Sequence, residues 1–207
     1  MIGIEDHLSR RKRGSLDGHF LVAMPGMDDE RFERTVIFVC AHSDEGAMGF
    51  ILNRPQPVQF HELLEKLDLD SHQKSSSHSS SKGKDCAPDV PIQLGGPLDA
   101  GRGFVLHSDD YRSQSTMPVN DELCMTATVD ILRAIKEGVG PRRAIMLLGY
   151  AGWGPGQLED EMSGNAWLST PATDDIVFDP DHSGKYDRVL ATMGIAPAML
   201  STQTGHA

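Results

Sequence analysis

Short apolar runs rich in β-branched residues open the folded part of the chain: "HFLVAM" (19–24), "TVIFVCA" (35–41) and "AMGFILN" (47–53). Runs of this length, bounded by turn residues, predict strands. Pro25-Gly26 separates the first two, and the polar stretch from His42 to Gly46 suits a hairpin between the second and third. Past Pro55 and Pro57 the period changes, and "FHELLEKLDL" (60–69) sets Leu63, Leu64 and Leu67 on one helical face. Two further strands are predicted at 90–97 and 103–108, around Gly95-Gly96-Pro97, and another at 122–127. A helix over 129–138 turns Ile131, Leu132 and Ile135 inward and stops at Gly138. "RAIMLLGY" (143–150) is a strongly apolar strand, "IVFD" (176–179) predicts a short one, and 183–195 predicts a last helix burying Tyr186, Val189, Leu190 and Met193. Strands that are adjacent in sequence and hairpin-linked point to an α+β fold rather than to regular βα alternation.

The strand at 143–150 runs into "GYAGWGPGQLEDEMSGNAWL" (149–168), the densest glycine segment of the chain. Gly152, Gly154 and Gly156 permit backbone angles and approaches that side chains obstruct. Pro155 is expected at the first position of a following helix, with Gln157 reaching back to its cap. At 100° per residue Glu159 lies on the opposite flank from Gln157 and Glu161, so the two glutamates make a poor acid/base pair. Gln157 and Glu161, four apart, can act together. A turn of this kind can present N–H groups to an anion, but it lacks the lysine and hydroxyl of a phosphate loop and the spacing of a dinucleotide motif. The segment is open to three readings: a structural turn, an anion cradle, or a surface for another ligand or partner.

Elsewhere, His107 and Ser108 are neighbours on a strand and point to opposite faces, which excludes direct pairing, and no G-x-S-x-G elbow occurs. Asn53-Arg54, ahead of Pro55, can bind a carboxylate or phosphate or simply brace the turn. Arg102, near Gly95-Gly96, has the same two readings.

A chain of 207 residues with 39% hydrophobic content supports one core and one domain. Its net charge of −11 repels phosphate backbones and argues against broad nucleic-acid binding. The exception, Arg10-Arg11-Lys12-Arg13, is expected in a flexible basic arm (1–15) ahead of the domain (16–207). Residues 71–85, "SHQKSSSHSSSKGKD", lack large apolar side chains and are expected to form a disordered surface loop, in which His72 and His78 have no fixed geometry for a metal. Cys40, Cys86 and Cys124 have neither disulfide nor zinc-site spacing. No metal or cofactor is called for. With no long apolar run and no signal peptide, a cytoplasmic protein is expected.

The combination "LDGHFLVAMPGMDDERFERTVIFVCAH", "GAMGFILNRP", "QLGGPLDAGRGFVLHS" and "GYAGWGPGQLEDEMSGNAWL" resembles the AlgH/YqgE family from about Leu16 to the C-terminus. The resemblance implies a bifurcated, partly barrel-like mixed sheet surrounded by helices. It implies no particular reaction, although some members carry a transcriptional-regulator label. Two departures stand out: 71–85 reads as an insertion, and Tyr186 replaces a tryptophan frequent in the last helix. The leading expectation is a binding or regulatory protein for an unidentified small ligand or protein partner, with Asn53, Arg54, Gly95, Gly96, His107, Trp153, Gln157, Glu159 and Glu161 as candidate site residues. The alternative is a small enzyme with Glu159 or Glu161 and His107 as acid/base groups.

Overall fold

The computed structural model describes residues 14–27, 29–67, 69 and 90–200. The arm up to residue 13, the Ser/His-rich stretch 71–85 and Cys86 lie outside the described residues. The elements run β1 (His19–Ala23), β2 (Val36–Ser43), β3 (Gly46–Ile51), α1 (Phe60–Lys66), β4 (Ile92–Leu94), β5 (Leu98–Ser108), β6 (Thr116–Pro118), β7 (Leu123–Thr126), α2 (Val129–Lys136), β8 (Ala144–Trp153), α3 (Gln157–Ser163), β9 (Trp167–Pro171), α4 (Asp174–Val177) and α5 (Lys185–Thr192).

The strands form one curled sheet in the order β6-β7-β5-β8-β3-β2-β1-β9, a mixed α+β architecture. Its neighbours along that path are antiparallel, while β4 lies parallel to β8. β8 is the branch point. Residues 146–148 take β4 and 151–153 take β3, so the sheet divides there as expected. A β-carbon on Gly96 would fall on the Tyr150 carbonyl, so the passage from β4 to β5 against β8 requires a glycine.

Strand alternation buries both faces of the sheet. Phe20, Val22, Val36 and Phe38 enter a core closed by Tyr186, Val189 and Leu190 of α5. Leu21, Ala23, Ile37 and Val39 face the other way, against Trp153, Leu158 and Trp167. A third cluster holds α1 and α2 through Phe60, Leu64, Ile131, Leu132 and Ile135.

Several boundaries differ from the sequence reading. The segment expected as a strand at 176–179 instead ends the helix α4, with Ile176 and Val177 in its last turn and Phe178 as its C-cap, because Thr173 enters in a β conformation and Asp174 and Asp175 favour a helical first turn. The strands β6 and β9 are additions. On α1 only Leu64 of the three leucines is fully buried, and Leu67 is 43% exposed at the helix end. Pro155 precedes α3 rather than starting it; Gly156 is its cap, at φ +74°.

Candidate functional site

The loop leaving β1, the start of β5, the end of β8, and α3 with the turn into β9 enclose a cleft of about 570 Å³. That volume is in the range of small-molecule sites, roughly 300–1,000 Å³. Trp153 ends β8 beside β3 (Ala47↔Trp153), and Trp167 begins β9 beside β1 (Ala23↔Trp167), so four strands bring the two indoles together. Their centroids are 5.9 Å apart, edge to face, and Phe32 packs edge-on against Trp167 at 5.7 Å. Met24, Met27 and Leu98 add apolar wall.

One carboxylate organises this cluster. Oε2 of Glu161 accepts the indole N–H of Trp153 (2.8 Å) and that of Trp167 (2.7 Å), and Oε1 accepts Nε2 of Gln157 (2.9 Å). Gln157 in turn accepts the Gly154 N–H at 3.0 Å, reaching back across the glycine turn. Helical spacing correctly paired Gln157 with Glu161. At the rim, the Arg31 guanidinium forks onto Asp29 and holds its carboxyl below the ordinary range.

Glu159 faces away. It accepts Nε2 of His42 at 2.8 Å, on the far flank of α3, and its own backbone N–H together with that ring lowers its pKa. His107 is farther still. It is paired with Ala144, the first residue of β8, whereas Trp153 is the last, nine residues or roughly 30 Å of extended strand away. The His107 ring is fully buried between the Ser108 carbonyl (2.8 Å) and the Thr126 hydroxyl (2.9 Å), and burial holds it toward the neutral form. His107 therefore does not meet Glu159 or Glu161, and the geometry gives no acid/base pair among the three.

Asn53 and Arg54 line a separate recess of about 420 Å³ with Glu33, Arg34, Pro55, Ser183 and Tyr186. Asn53 is a buried brace: Oδ1 accepts the Val36 N–H (3.0 Å) and Nδ2 donates to the Arg34 carbonyl (2.8 Å). Gly95 and Gly96 are buried against the β8 backbone and line neither hollow. The sequence candidates thus divide into a cleft group (Trp153, Gln157, Glu161), a recess group (Asn53, Arg54), two packing glycines, and two outliers. Sequence reasoning missed Phe32, Asp29 and Arg31, which lie in a charged stretch with no periodic signal. It also omitted Trp167 from the candidate site, although Trp167 belongs to the same segment as Trp153. Among the described residues, no group of three or more His, Cys, Asp or Glu is placed to hold a metal, and no helix is long and apolar enough to cross a membrane.

Comparison with known proteins bears on the whole chain. The family model described as DUF179, AlgH-like, matches residues 20–198. A UPF0301 protein of Allorhizobium ampelinum is 58% identical over 199 residues, covering 96% of each chain. One from Rhizobium meliloti is 58% identical over 198 residues, covering 95% of this chain and 96% of the relative. The solution structure of the AlgH protein from Pseudomonas aeruginosa superposes with a TM-score of 0.74 at 38% identity, over 97% of this chain and all of that one. A crystal structure from Corynebacterium diphtheriae, 22% identical with a TM-score of 0.67, covers 93% and 94% and shares the fold.

Proposed function

We propose that this chain, which belongs to the AlgH-like family, works in the cytoplasm by binding, and that its receptor site is the cleft walled by Trp153, Trp167 and Phe32. The observation that carries this reading is the state of the carboxylates in the cleft. Both oxygens of Glu161 accept hydrogen bonds from neighbouring side chains, and Asp29 is held ionised by Arg31. Glu161 is thus an acceptor for its own chain and Asp29 a partner of Arg31, roles that brace the cleft walls rather than supply the proton-transfer geometry that general acid/base catalysis requires. The aromatic edges and methionines offer instead an apolar wall with a polar rim, suited to a small ligand carrying a planar apolar group. A regulatory role would follow from occupancy of this cleft altering what the protein contacts.

The chain has two tryptophans, and both are in the cleft, so intrinsic emission reports on the site directly. In a thermal-shift screen of planar heteroaromatic compounds, binders should raise Tm and also quench or shift tryptophan emission. Trp153→Phe should weaken them. Compounds that raise Tm while leaving the emission unchanged would place the ligand site elsewhere and refute the proposal.

A further inference from the structure

The recess at the opposite end of the β1–β2 loop has its own chemistry. Two successive residues, Asn53 and Arg54, grip two successive carbonyls: Arg54 Nη2 donates to the Glu33 carbonyl, and Asn53 Nδ2 to that of Arg34. Between those contacts Arg34 adopts a left-handed backbone, φ +51°, which is uncommon for an arginine. The clamp fixes where the Arg34 side chain leaves the loop. Its guanidinium lies 4.5 Å over the Tyr186 ring, while the Tyr186 hydroxyl is anchored on the Ala23 carbonyl at 2.7 Å.

Holding this loop needs only one N–H of Arg54. A guanidinium carries five, and the Arg34 group has one exposed ion pair, to Asp187 at 2.9 Å. Two guanidinium groups, positioned by separate elements and with donors to spare, therefore line one recess of about 420 Å³ in a chain of net charge −11. Two acids stand close by: Asp187 pairs with Arg34 from outside the lining, and Glu33 lies on the recess wall, so an entering oxyanion competes with Asp187 for Arg34, whereas Arg54 has no carboxylate partner among the described residues. Tyr186 serves as a platform for Arg34, and the Ser183 hydroxyl, which donates to Asp181 at 2.8 Å, keeps its oxygen free only to accept.

We infer that this recess is an oxyanion-binding site in which Arg34 and Arg54 together grasp a phosphate or carboxylate group of a small ligand. Guanidinium forks match both groups bidentately, and two of them can surround a single oxyanion. Asn53 acts as a positioning residue, through its hold on the Arg34 carbonyl. The site is distinct from the tryptophan cleft and does not depend on it.

The test titrates the full chain with inorganic phosphate and, separately, with acetate, at fixed ionic strength balanced by chloride. The arginine Nε–H resonances are followed by NMR. Saturable shifts of Arg34 and Arg54 with either anion support the site, and the anion that saturates names the class. Arg54→Gln ends two atoms short of the Nη2 position and loses the charge, while Asn53 still holds the loop through Val36 and Arg34, so the variant should keep the fold and weaken binding about tenfold or more. Arg133→Gln, on the exposed face of α2, should leave affinity unchanged. Shifts that stay linear with both anions, or saturation unaffected by Arg54→Gln in a folded protein, overturn the inference. Tryptophan emission is the separate readout of the cleft, so failure at one site is distinguishable from failure at the other.

Discussion

The tryptophan cleft and the arginine recess share the loop from β1 to β2, yet they handle polar groups in opposite ways. In the cleft, both oxygens of the Glu161 carboxylate are engaged, taking three donors from Trp153, Trp167 and Gln157 for about four acceptor sites. In the recess, Arg54 makes one backbone contact and Arg34 one exposed ion pair. A polar group whose hydrogen-bonding capacity is filled by its own chain fixes structure. One with capacity left over is available to a ligand. On this reasoning the cleft binds through its aromatic walls, with its acid as scaffold, whereas the recess binds through its charges.

The strongest way to break that contrast is Glu161→Ala. Trp153 is 7% exposed and Trp167 3%, so their indole N–H groups would lose an acceptor that water replaces poorly. Two such unsatisfied donors cost about 4 kcal/mol together, measurable by urea unfolding. A loss below about 1 kcal/mol would mean that solvent satisfies both indoles and that Glu161 is not scaffold.

A smaller effect concerns Lys185, which lies between recess residues Ser183 and Tyr186 in sequence but is completely buried. Its ammonium donates to the Val177 carbonyl at 2.8 Å, and burial pushes its pKa down to about 8. Between that value and the ordinary 10.5 the unfolded chain binds a proton that the folded chain does not, so stability attributable to this residue rises with pH. The shift corresponds to a penalty on the order of 3 kcal/mol at neutral pH, offset by about 1 kcal/mol for the hydrogen bond. Lys185→Met should therefore be about 2 kcal/mol more stable than the parent at pH 7, with the gap closing as pH rises from about 8 to 10.5. A gap independent of pH would show that the buried amine holds its proton equally in the folded and unfolded chain, with no penalty from burial.

What was legible in the sequence was mainly what is local. The strand predicted at 19–24 carries Phe20 and Val22 on one face and Leu21 and Ala23 on the other by alternation alone, and helical spacing separated Glu159 from Glu161. Where two local signals competed, the weaker was read: Ile176-Val177 has strand character, but the cap at Thr173 and two aspartates in the first turn prevail. Convergence was not legible. The meeting of Trp153 with Trp167 depends on β3–β8 and β1–β9 pairings between segments far apart in sequence, and β9 has no clear strand pattern. The recess was half visible, since "NRP" marked Asn53 and Arg54, but Arg34 gains its place from a left-handed turn that no periodicity announces.

The smallest effect sharpens the comparison within α3 itself. Glu159 is the same residue type as Glu161, two positions earlier, but its side chain is 55% exposed. Its partner ring is fixed from the other side: the Leu16 N–H donates to His42 Nδ1 at 3.1 Å, so Nε2 carries the proton given to Glu159. A glutamine at 159 retains an oxygen to accept that proton and loses only a solvent-screened charge, so Glu159→Gln should cost no more than about 0.5 kcal/mol at pH 7. Because the fold lowers the Glu159 pKa, its contribution is present above the unfolded carboxylate value and is lost as pH falls through the folded one. Parent and variant stabilities, compared by urea unfolding, should accordingly converge in acid. A cost at pH 7 comparable to that of Glu161→Ala would mean that the number of donors on a carboxylate is the wrong criterion for dividing scaffold from ligand-facing groups in this fold.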